Sequence, residues 1–402
     1  MSGILRIAAT GFVSASSGSV ASANALLLRE LLAAGVQIHF FSKASFVDPR
    51  EAAETHPGFH FTDVDNRFAD RLRNATARVP LISTATRFAD VATYNHQVVR
   101  AIQEAHARER FDLCLWFGDY ARGHVEGIPT VSFAQGPPGT DARSIIRHFS
   151  TIRALAGPLA AWKWRILATL RLSRAGLPVF RHSDHIIVGS KQSRQTLHEC
   201  FGVSDDRTSS LPYPIDLATF SPGLFREPER RCLWLGRIVP RKRLDVFLDG
   251  LAAAIRSGLP LTGTVVGALG FIPGYEKLLR EFAFPNQLEW IPSVPRAQVP
   301  DLLRAHDILI QPSEEEDFGS SVAEAQACGL PVIVGSTNGN ADYLSTNDIR
   351  LTSDTPAALS DALSIICSDP TTSRAAAERF FSPSTVAAQL VAILERVLRR
   401  NR

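Results

Sequence analysis

Residues 308–334 read ILIQPSEEEDFGSSVAEAQACGLPVIV, which predicts a strand, a loop, a helix and a second strand in succession. The apolar run at 308–310 is expected to be a buried strand, and the helix is expected to begin near Gly319. Gly329 supplies the left-handed residue that commonly ends a helix, and Pro331 opens the second strand. Ligands of open parallel sheets bind beyond the carboxyl ends of the strands, so the loop after the first strand is a candidate binding loop.

The same alternation of strands and helices extends along the rest of the chain. Short runs rich in Val, Ile and Leu alternate with amphipathic stretches of helical period, which is typical of parallel sheets covered by helices on both faces. The fold class is therefore predicted to be α/β. Predicted strands lie at 5–9, 36–41, 112–116, 130–133, 186–188, 231–235, 261–266, 288–291, 308–310 and 331–334, and predicted helices at 21–33, 98–108 and 386–400.

The chain is expected to form two domains, because 402 residues exceed what one hydrophobic core usually organises. Residues 209–222 carry three prolines and no periodic pattern, as expected of a linker. We therefore predict an N-terminal domain at 1–210 and a C-terminal domain at 211–384. The amphipathic C-terminal stretch 385–402 is expected to pack back on the first domain.

Charge and cysteine content exclude some classes of protein. The chain has 43 basic and 40 acidic residues, a net charge of +3, which is too small for a protein whose main role is to bind nucleic acid. The five cysteines include no CxxC pair, so we expect reduced thiols in a cytoplasmic protein. No signal peptide is evident and no uncharged apolar run reaches about 18 residues, so a spanning helix is not expected.

One segment, residues 142–174, is unusually basic. It has seven basic residues and no acidic one, and it contains Trp162 and Trp164. Two interpretations are open. The segment is an ordinary solvated helical face, or it is a patch that meets anionic lipid headgroups or an acidic acceptor, with the tryptophans at the interface. The second interpretation would place the protein peripherally at the inner face of the membrane.

Two carboxylates flank the start of the helix within 308–334. Glu316 lies before the helix and Glu324 just inside it, with seven residues between them. Each carboxylate accepts two hydroxyl hydrogen bonds, so the first can hold a sugar and the second a ribose. The small residues Gly319 and Ser320 let backbone N–H groups approach a substrate closely, and the helix N-terminus favours phosphate oxygens.

A second motif, LWLGRIVPRKRLD at residues 233–245, places cations directly after a strand. Loss of a nucleoside diphosphate needs its developing negative charge neutralised, and without a metal the protein must supply fixed cations. Arg237 and Lys242 can do this. Read alone, the basic cluster is equally consistent with surface solvation, and the carboxylate motif favours the functional interpretation.

These two motifs together resemble glycosyltransferase family 4. The pair Glu316 and Glu324, with the run through Val332, is similar to the E-x7-E signature of that family, and residues 236–242 are similar to its G-R-x-x-x-x-K stretch. The resemblance implies a GT-B fold, in which two Rossmann-like domains face each other across a cleft, with the acceptor on the first domain and the nucleotide sugar on the second. Arg243 stands where the family usually has Gly.

The resemblance also implies roles for individual residues. Arg237 and Lys242 would hold the donor diphosphate and, with Glu316, form the catalytic set. Gly18, before Ser19, stands where family members often carry a Gly-Gly pair near the donor phosphate. The donor-binding residues implied in this way are Gly18, Gly236, Asp317, Phe318, Gly319, Ser320 and Glu324.

The acceptor side is less well marked by the sequence. Family members often have a His after the strand that matches 130–133, and here Gln135 stands at that point. Because Gln cannot act as a general base, substrate positioning is the role left to it. Asp119, Asp141 and His124 are nearby candidates.

The function that the resemblance implies is transfer, with retention, of a hexosyl group from a UDP- or GDP-linked sugar to an acceptor hydroxyl on a glycan, a lipid-linked glycan precursor or a small molecule. No metal and no other cofactor is expected. Two alternatives remain: a nucleotide-sugar epimerase or hydrolase of the same fold, and a non-catalytic nucleotide-sugar-binding protein. A rival motif is Asp63-Val64-Asp65, which matches the D-x-D that other transferases use to hold a metal-bound diphosphate, in a polar stretch with no strand pattern of its own.

Overall fold

The computed structural model describes residues 4–14, 18–43, 56–64, 80–175, 180–224, 227–366 and 370–401. For residues 80–92, 174–175 and 370 it describes the backbone only. Asp65, Cys367 and Arg402 lie outside the described residues, as does the side chain of Arg174.

The first sheet has seven parallel strands in the order β3-β2-β1-β4-β5-β6-β7. Its central strands are buried along their whole length, because helices cover both faces of the sheet. The strands are β1 (Arg6–Gly11), β2 (Gln37–Ser42), β3 (Phe59–Asp63), β4 (Leu113–Phe117), β5 (Thr130–Phe133), β6 (His185–Val188) and β7 (Thr208–Ser210).

The second sheet has six parallel strands in the order β10-β9-β8-β11-β12-β13. The two sheets are separate α/β layers, and the chain passes from one to the other between β7 and β8. The strands are β8 (Arg231–Leu235), β9 (Thr262–Val266), β10 (Leu288–Ile291), β11 (Ile308–Gln311), β12 (Val332–Val334) and β13 (Ile349–Arg350).

Helices connect most of these strands, and a helical hairpin follows β5. The helices of the described residues are α1 (Gly18–Ala33), α2 (Pro80–Glu109), α3 (Thr140–Arg147), α4 (Phe149–Ala156), α5 (Pro158–Ala175), α6 (Lys191–Phe201), α7 (Leu244–Arg256), α8 (Glu276–Arg280), α9 (Val299–Arg304), α10 (Ser320–Ala327), α11 (Pro356–Ile365), α12 (Pro370–Phe381) and α13 (Pro383–Asn401).

Strand order reverses once in each sheet, and this places the candidate loops. In the second sheet the chain adds strands β9 and β10 on one side of β8 and strands β11 to β13 on the other, so the strand order reverses between β8 and β11. At such a reversal the loops after the two neighbouring strands turn to opposite faces of the sheet and leave a crevice between them, which is where ligands of such sheets bind. Residues 236–243 and 312–319 are those two loops. In the first sheet the same reversal lies between β1 and β4.

Two helical segments join the domains. The buried face of α13, which includes Val386, Leu390 and Leu394, packs with α1 of the first domain in one continuous core. The hairpin α3–α5, although it follows a strand of the first sheet, packs its buried residues against the core of the second, where Trp234 and Phe247 lie. The placement of the domain boundary at residue 210 stays a prediction, although the last strand of the first sheet ends there.

Candidate active site

The two sequence motifs of the second domain meet at one point. Lys242, in the loop after β8, lies with its Nζ 2.7 Å from Oε2 of Glu316, in the loop after β11. The same carboxylate oxygen accepts a hydrogen bond from Nη1 of Arg241 at 2.6 Å. Parallel strands bring residues far apart in sequence to one edge, and here that edge carries two cations around one carboxylate.

Burial and neighbouring charges shift the pKa values of Glu316, Lys242 and Arg241. Burial favours the neutral form of Glu316, but the adjacent Arg241 and Lys242 outweigh it and hold the pKa of this carboxyl at about 2. Burial lowers the pKa of Lys242, and Glu316 opposes that effect. Glu316 raises the already high pKa of Arg241. The carboxylate therefore stays ionised at neutral pH, and the charge of Lys242 depends on having an anion beside it.

Arg237 lies at the same edge but is free of such contacts. Its side chain is exposed, and within the described part of the chain it makes no hydrogen bond or ion pair. Its charge is close enough to lower the pKa of Lys242. Gly236, the residue before it, has φ of 153°, a conformation that other residues rarely adopt, and its backbone lies against the end of the Lys242 side chain. The exposed guanidinium of Arg237 can therefore bind an anionic ligand without first breaking an ion pair, next to the largely buried ammonium of Lys242.

Arg243, the departure from the family pattern, has a structural explanation. Its backbone has φ of 48° and ψ of 50°, the left-handed region, which is where a Gly would be unstrained. Its guanidinium pairs with Asp245, 3.0 Å away, and so turns away from Glu316. The positive charge of Arg243 is therefore paired with Asp245 at the start of α7 and not with the carboxylate of Glu316.

A charged interface joins the loop after β11 to helix α3 of the hairpin. Arg143 binds Glu315 at 2.7 Å, and Arg147 bridges Glu315 and Glu314 at 2.7 and 2.8 Å. His148 also binds Glu314, at 2.7 Å. Burial would raise the pKa of Glu314, but His148 and Arg147 lower it to about 2. The three acids in a row are thus divided: two hold the hairpin, and Glu316 alone faces the cations of the β8 loop.

Asp141 is the acceptor-side candidate that the structure brings to this point. Its Oδ1 lies 2.8 Å from Nε of Arg241, and Nη1 of the same guanidinium binds Glu316. A continuous chain of charged contacts therefore runs from the hairpin to the carboxylate. Arg241 was missed by the sequence reasoning, although it directly precedes Lys242, because the motif of the family leaves that position open.

Asp317 and Phe318 serve the contact between the domains. Both Oδ atoms of Asp317 accept hydrogen bonds from the backbone N–H of Gly189, at 3.0 and 3.1 Å, and Oδ2 also accepts one from the hydroxyl of Tyr213. Burial raises the pKa of Asp317 to about 6 despite these hydrogen bonds. The ring of Phe318 is buried between Tyr213 and Phe381. In this structure both side chains are occupied by protein, so only their backbone groups are left for a donor.

The start of α10 has the geometry expected of a close-approach site. Gly319 adopts φ of 80° immediately before the helix, and an added Cβ would lie 2.9 Å from Oδ1 of Asn338. Ser320 is the first helical residue, so the free N–H groups of the first turn begin there. The segment 338–340 packs against the loop that precedes α10, and the N–H of Gly339 donates to the carbonyl of Glu316 at 2.9 Å.

Glu324 does not lie free in the crevice. Its two carboxylate oxygens bind both terminal nitrogens of Arg296, at 2.6 and 2.9 Å, and its side chain is 3% exposed. Burial raises the pKa of Glu324, and Arg296 opposes that effect. A ribose would have to share this carboxylate with Arg296. No signal in the sequence pointed to Arg296, which precedes α9 by three residues and belongs to neither motif.

The first domain contributes residues at its own strand reversal. Gly18, with φ of 64°, is the first residue of α1 and is exposed. Gln135, after β5, exchanges hydrogen bonds with Asn24 of α1 at 2.8 and 3.1 Å. Asp119 pairs with Arg122 at 2.9 Å. The structure therefore brings Gln135 close to α1, while Asp119 is satisfied locally.

His124, the remaining acceptor-side candidate, is exposed and has no hydrogen bond or ion pair within the described residues. The rival metal motif is only partly described, since Asp65 lies outside the described residues. Asp63 is the last residue of β3, so the expectation that this stretch has no strand context was wrong. Across the described ranges no group of three His, Cys, Asp or Glu side chains is arranged to hold a metal ion.

Comparison with solved structures shows the class of fold. The chain matches sucrose-phosphate synthase from Thermosynechococcus elongatus with a TM-score of 0.66 at 17% identity, over 98% of this chain and 100% of that one. It matches Anabaena HepE, solved in complex with UDP and glucose, with a TM-score of 0.60 at 15% identity and the same coverage. The chain therefore has a GT-B fold of two facing Rossmann-like domains with a cleft between them.

Comparison of sequences concerns mainly the second domain. Residues 218–380 match the family model described as glycosyl transferases group 1. Residues of this chain are 33% identical over 178 positions to a D-inositol 3-phosphate glycosyltransferase of Rhodococcus erythropolis, and 26% identical over 245 positions to one of Xylanimonas cellulosilytica. The first alignment covers 40% of each protein, and the second 54% of this chain and 58% of its relative. The range matched by the family model, 218–380, includes both loops at the crevice, residues 236–243 and 312–319.

Proposed function

We propose that the chain is a glycosyltransferase that moves a hexosyl group, with retention and without a metal ion, from a UDP- or GDP-linked sugar to an acceptor hydroxyl. The observation that carries this proposal is the meeting of Arg237, Lys242 and Glu316 at the strand reversal of the second sheet. Two cations suit a departing pyrophosphate, and a carboxylate beside them suits sugar hydroxyls. The GT-B fold and the family match over 218–380 support the same reading.

In the proposed reaction the donor lies on the second domain. Lys242 and Arg237 bind the diphosphate oxygens and neutralise the charge that builds up as the bond to the sugar breaks. Arg241 stays on Glu316, so the carboxylate remains ionised and oriented when Lys242 turns to the phosphate. The backbone N–H groups at the start of α10 add donors at the same edge.

The acceptor enters from the first domain, next to Gln135 and helix α1. Asp141 reaches the crevice through Arg241, so it acts on the orientation of Glu316 and not as a base on the acceptor. Retention follows if the acceptor hydroxyl attacks the face that the diphosphate leaves, with the leaving phosphate taking the proton. No protein nucleophile is needed in that scheme. The acceptor class we propose is a glycan, a lipid-linked glycan precursor or a small hydroxylated molecule.

Binding of the donor is expected to be visible as thermal stabilisation. A ligand at 100 times its dissociation constant stabilises the folded state by about 2.7 kcal/mol. We expect a UDP- or GDP-linked hexose to raise Tm, and the free nucleoside diphosphate to retain much of that effect, since most of the anchoring is to phosphate. Differential scanning fluorimetry with UDP-, GDP- and ADP-linked sugars measures it. Absence of any shift with all three sets would contradict the proposal.

Transfer is expected to continue in excess chelator. This expectation rests on the fixed cations of Arg237 and Lys242, which we propose neutralise the diphosphate in place of a metal ion. The measurement is donor turnover with and without EDTA, using a mixture of candidate acceptors. Loss of turnover that added Mg²⁺ or Mn²⁺ restores would favour the motif at 63–65 instead. A parallel incubation without acceptor separates transfer from epimerisation, which changes the sugar without an acceptor.

A further inference from the structure

Helix α5 turns large apolar side chains towards solvent. Its inward face, which includes Ala161 and Ala168, is buried against the core of the second domain. On the outward face Leu159 is 88% exposed and Ile166 56% exposed. The five outward apolar residues, here called the α5 surface, are Leu159, Trp162, Ile166, Leu167 and Leu170.

The spacing of these residues makes one continuous stripe. At 3.6 residues per turn they fall within an arc of about 140°, centred opposite the buried alanines. A helix on the surface of a water-soluble domain normally shows polar residues there. Beside the stripe, Trp164 packs on Phe271 of the second domain at 5.1 Å, and Phe271 is itself partly exposed. Contiguous exposed apolar surface of this kind marks an interaction site.

Positive charge surrounds the stripe. Lys163 lies within its arc and Arg171 at its edge, both exposed, and Arg153 of α4 is exposed as well. The guanidinium of Arg165 stacks over the rings of Phe149 and Trp162, at 4.8 and 5.4 Å. No acidic residue occurs between positions 142 and 174. Arg143 and Arg147 do not contribute, since Glu314 and Glu315 bind them, so the basic character of the free surface comes from the hairpin beyond α3.

We propose that the α5 surface docks the protein on an anionic lipid membrane, with the helix lying in the plane of the interface. Leucine, isoleucine and tryptophan on one face, flanked by lysine and arginine, is the composition that inserts shallowly between headgroups. The basic flanks match anionic lipid and would repel an identical surface on a second copy. The proposed contact is peripheral, and none of the helices in the described ranges is long and apolar enough to cross a membrane.

Vesicle sedimentation with the full chain tests this proposal, and it needs no donor or acceptor. Vesicles of phosphatidylcholine alone are compared with vesicles containing 30% phosphatidylglycerol, a fraction of about one third chosen to give a strong surface potential. We expect binding to the anionic vesicles and weak binding to the neutral ones. Raised salt should weaken the binding but not abolish it, because the apolar part of the contact is not screened.

Two kinds of variant separate the apolar and the charged contributions. The double substitution Ile166→Ser with Leu170→Ser should lower the partition coefficient at least about tenfold, because two four-carbon apolar side chains no longer leave water. Lys163→Ala should lower it about fivefold on anionic vesicles only. Ile365→Ser is the matched control, since Ile365 is 73% exposed but lies on α11, away from the hairpin. All these positions are exposed, so the fold should persist, which circular dichroism checks.

Insertion is measured separately through Trp162. Brominated lipid should quench part of the tryptophan fluorescence of the wild type, and Trp162→Phe should remove that quenching. The proposal is overturned if the wild type ignores anionic vesicles, or if the Ile166→Ser, Leu170→Ser variant binds them as well as the Ile365→Ser control. It is also overturned if light scattering shows a dimer that does not bind vesicles and that the Ile166→Ser, Leu170→Ser variant converts to a monomer. Failure of donor turnover would leave this result untouched, since the assay contains no sugar.

Discussion

Lys242→Ala is expected to lower kcat/KM for donor turnover at least about 100-fold, a loss of about 2.7 kcal/mol in transition-state stabilisation. Nζ of Lys242 is held at the edge of the crevice by Glu316, 2.7 Å away, and its side chain is only 12% exposed, a burial that removes much of its hydration and lowers its pKa. A cation that has already lost water interacts strongly with a diphosphate that develops charge. Steady-state kinetics with a UDP- or GDP-linked hexose gives the ratio, and calorimetry with the free nucleoside diphosphate should show weaker binding too.

Arg243→Gly provides the matched control for that experiment. Arg243 is the next residue, also basic, but its guanidinium is bound to Asp245 and its backbone has the left-handed conformation that Gly adopts without strain. We expect this variant to keep turnover within a few-fold of the wild type. If Lys242→Ala turned over donor at close to the wild-type rate, or if Arg243→Gly lost as much activity as Lys242→Ala, the assignment of the diphosphate to Lys242 would be wrong.

The architecture was largely predictable because its strands are buried and its helices amphipathic. The predicted strands at 130–133, 231–235 and 288–291 coincide with β5, β8 and β10. Strands β3, β7 and β13 were missed, because none of them forms a long buried run: β3 has no fully buried residue, and β7 and β13 are only three and two residues long. The sequence of β3, Phe59–Asp63, alternates apolar and polar residues over only four positions and ends in the acid that was assigned to a polar stretch.

The candidate site was predictable only as far as its motifs reach. Glu316 and Lys242 were each identified by the spacing within their own motif, but some of the partners that orient the motif residues come from other elements. Arg296 holds Glu324, and Asp141 reaches Arg241 from the hairpin. Such contacts depend on how one domain sits on the other, and no local pattern encodes that. The role of Asp317 was hidden in the same way. Asp317 belongs to the motif, but its carboxylate accepts hydrogen bonds from Gly189 and Tyr213, which lie outside it.

The basic segment 142–174 shows that composition can mislead about where charge is used. Its first two arginines, Arg143 and Arg147, bind acids of the second domain, which composition could not reveal because those acids lie about 170 residues away. The remaining cations lie beside the exposed apolar stripe of α5. The two interpretations of the segment therefore apply to different parts of it: one part is structural, and the other carries the docking proposal.

Glu316→Gln is expected to lower kcat at least about 100-fold, and to do so without weakening nucleoside diphosphate binding. Glu316 pairs with Lys242 and Arg241 in the absence of ligand, so loss of its charge leaves Lys242 available to phosphate, while Arg241 keeps its contact with Asp141. Glutamine keeps the size and one acceptor, which limits the cost of leaving the buried Lys242 without an anionic partner, whereas alanine would add a cavity. Turnover falls because the carboxylate no longer holds the sugar as the bond to the diphosphate breaks. Kinetics and calorimetry on the same preparation measure the two effects.

The different effects on nucleoside diphosphate binding that we expect from Lys242→Ala and Glu316→Gln make the pair of variants more informative than either alone. Removing the cation should weaken diphosphate binding and turnover together, whereas removing the anion should separate them. Because the pKa of Glu316 is held at about 2, its carboxylate stays ionised above about pH 4. Titration of Glu316 therefore cannot lower kcat between pH 9 and pH 5, and we expect the pH profiles of kcat for the wild type and Glu316→Gln to have the same shape over that range. If Glu316→Gln lost diphosphate affinity as Lys242→Ala does, the carboxylate would only be positioning Lys242, and the direct contact with the sugar would have to be abandoned.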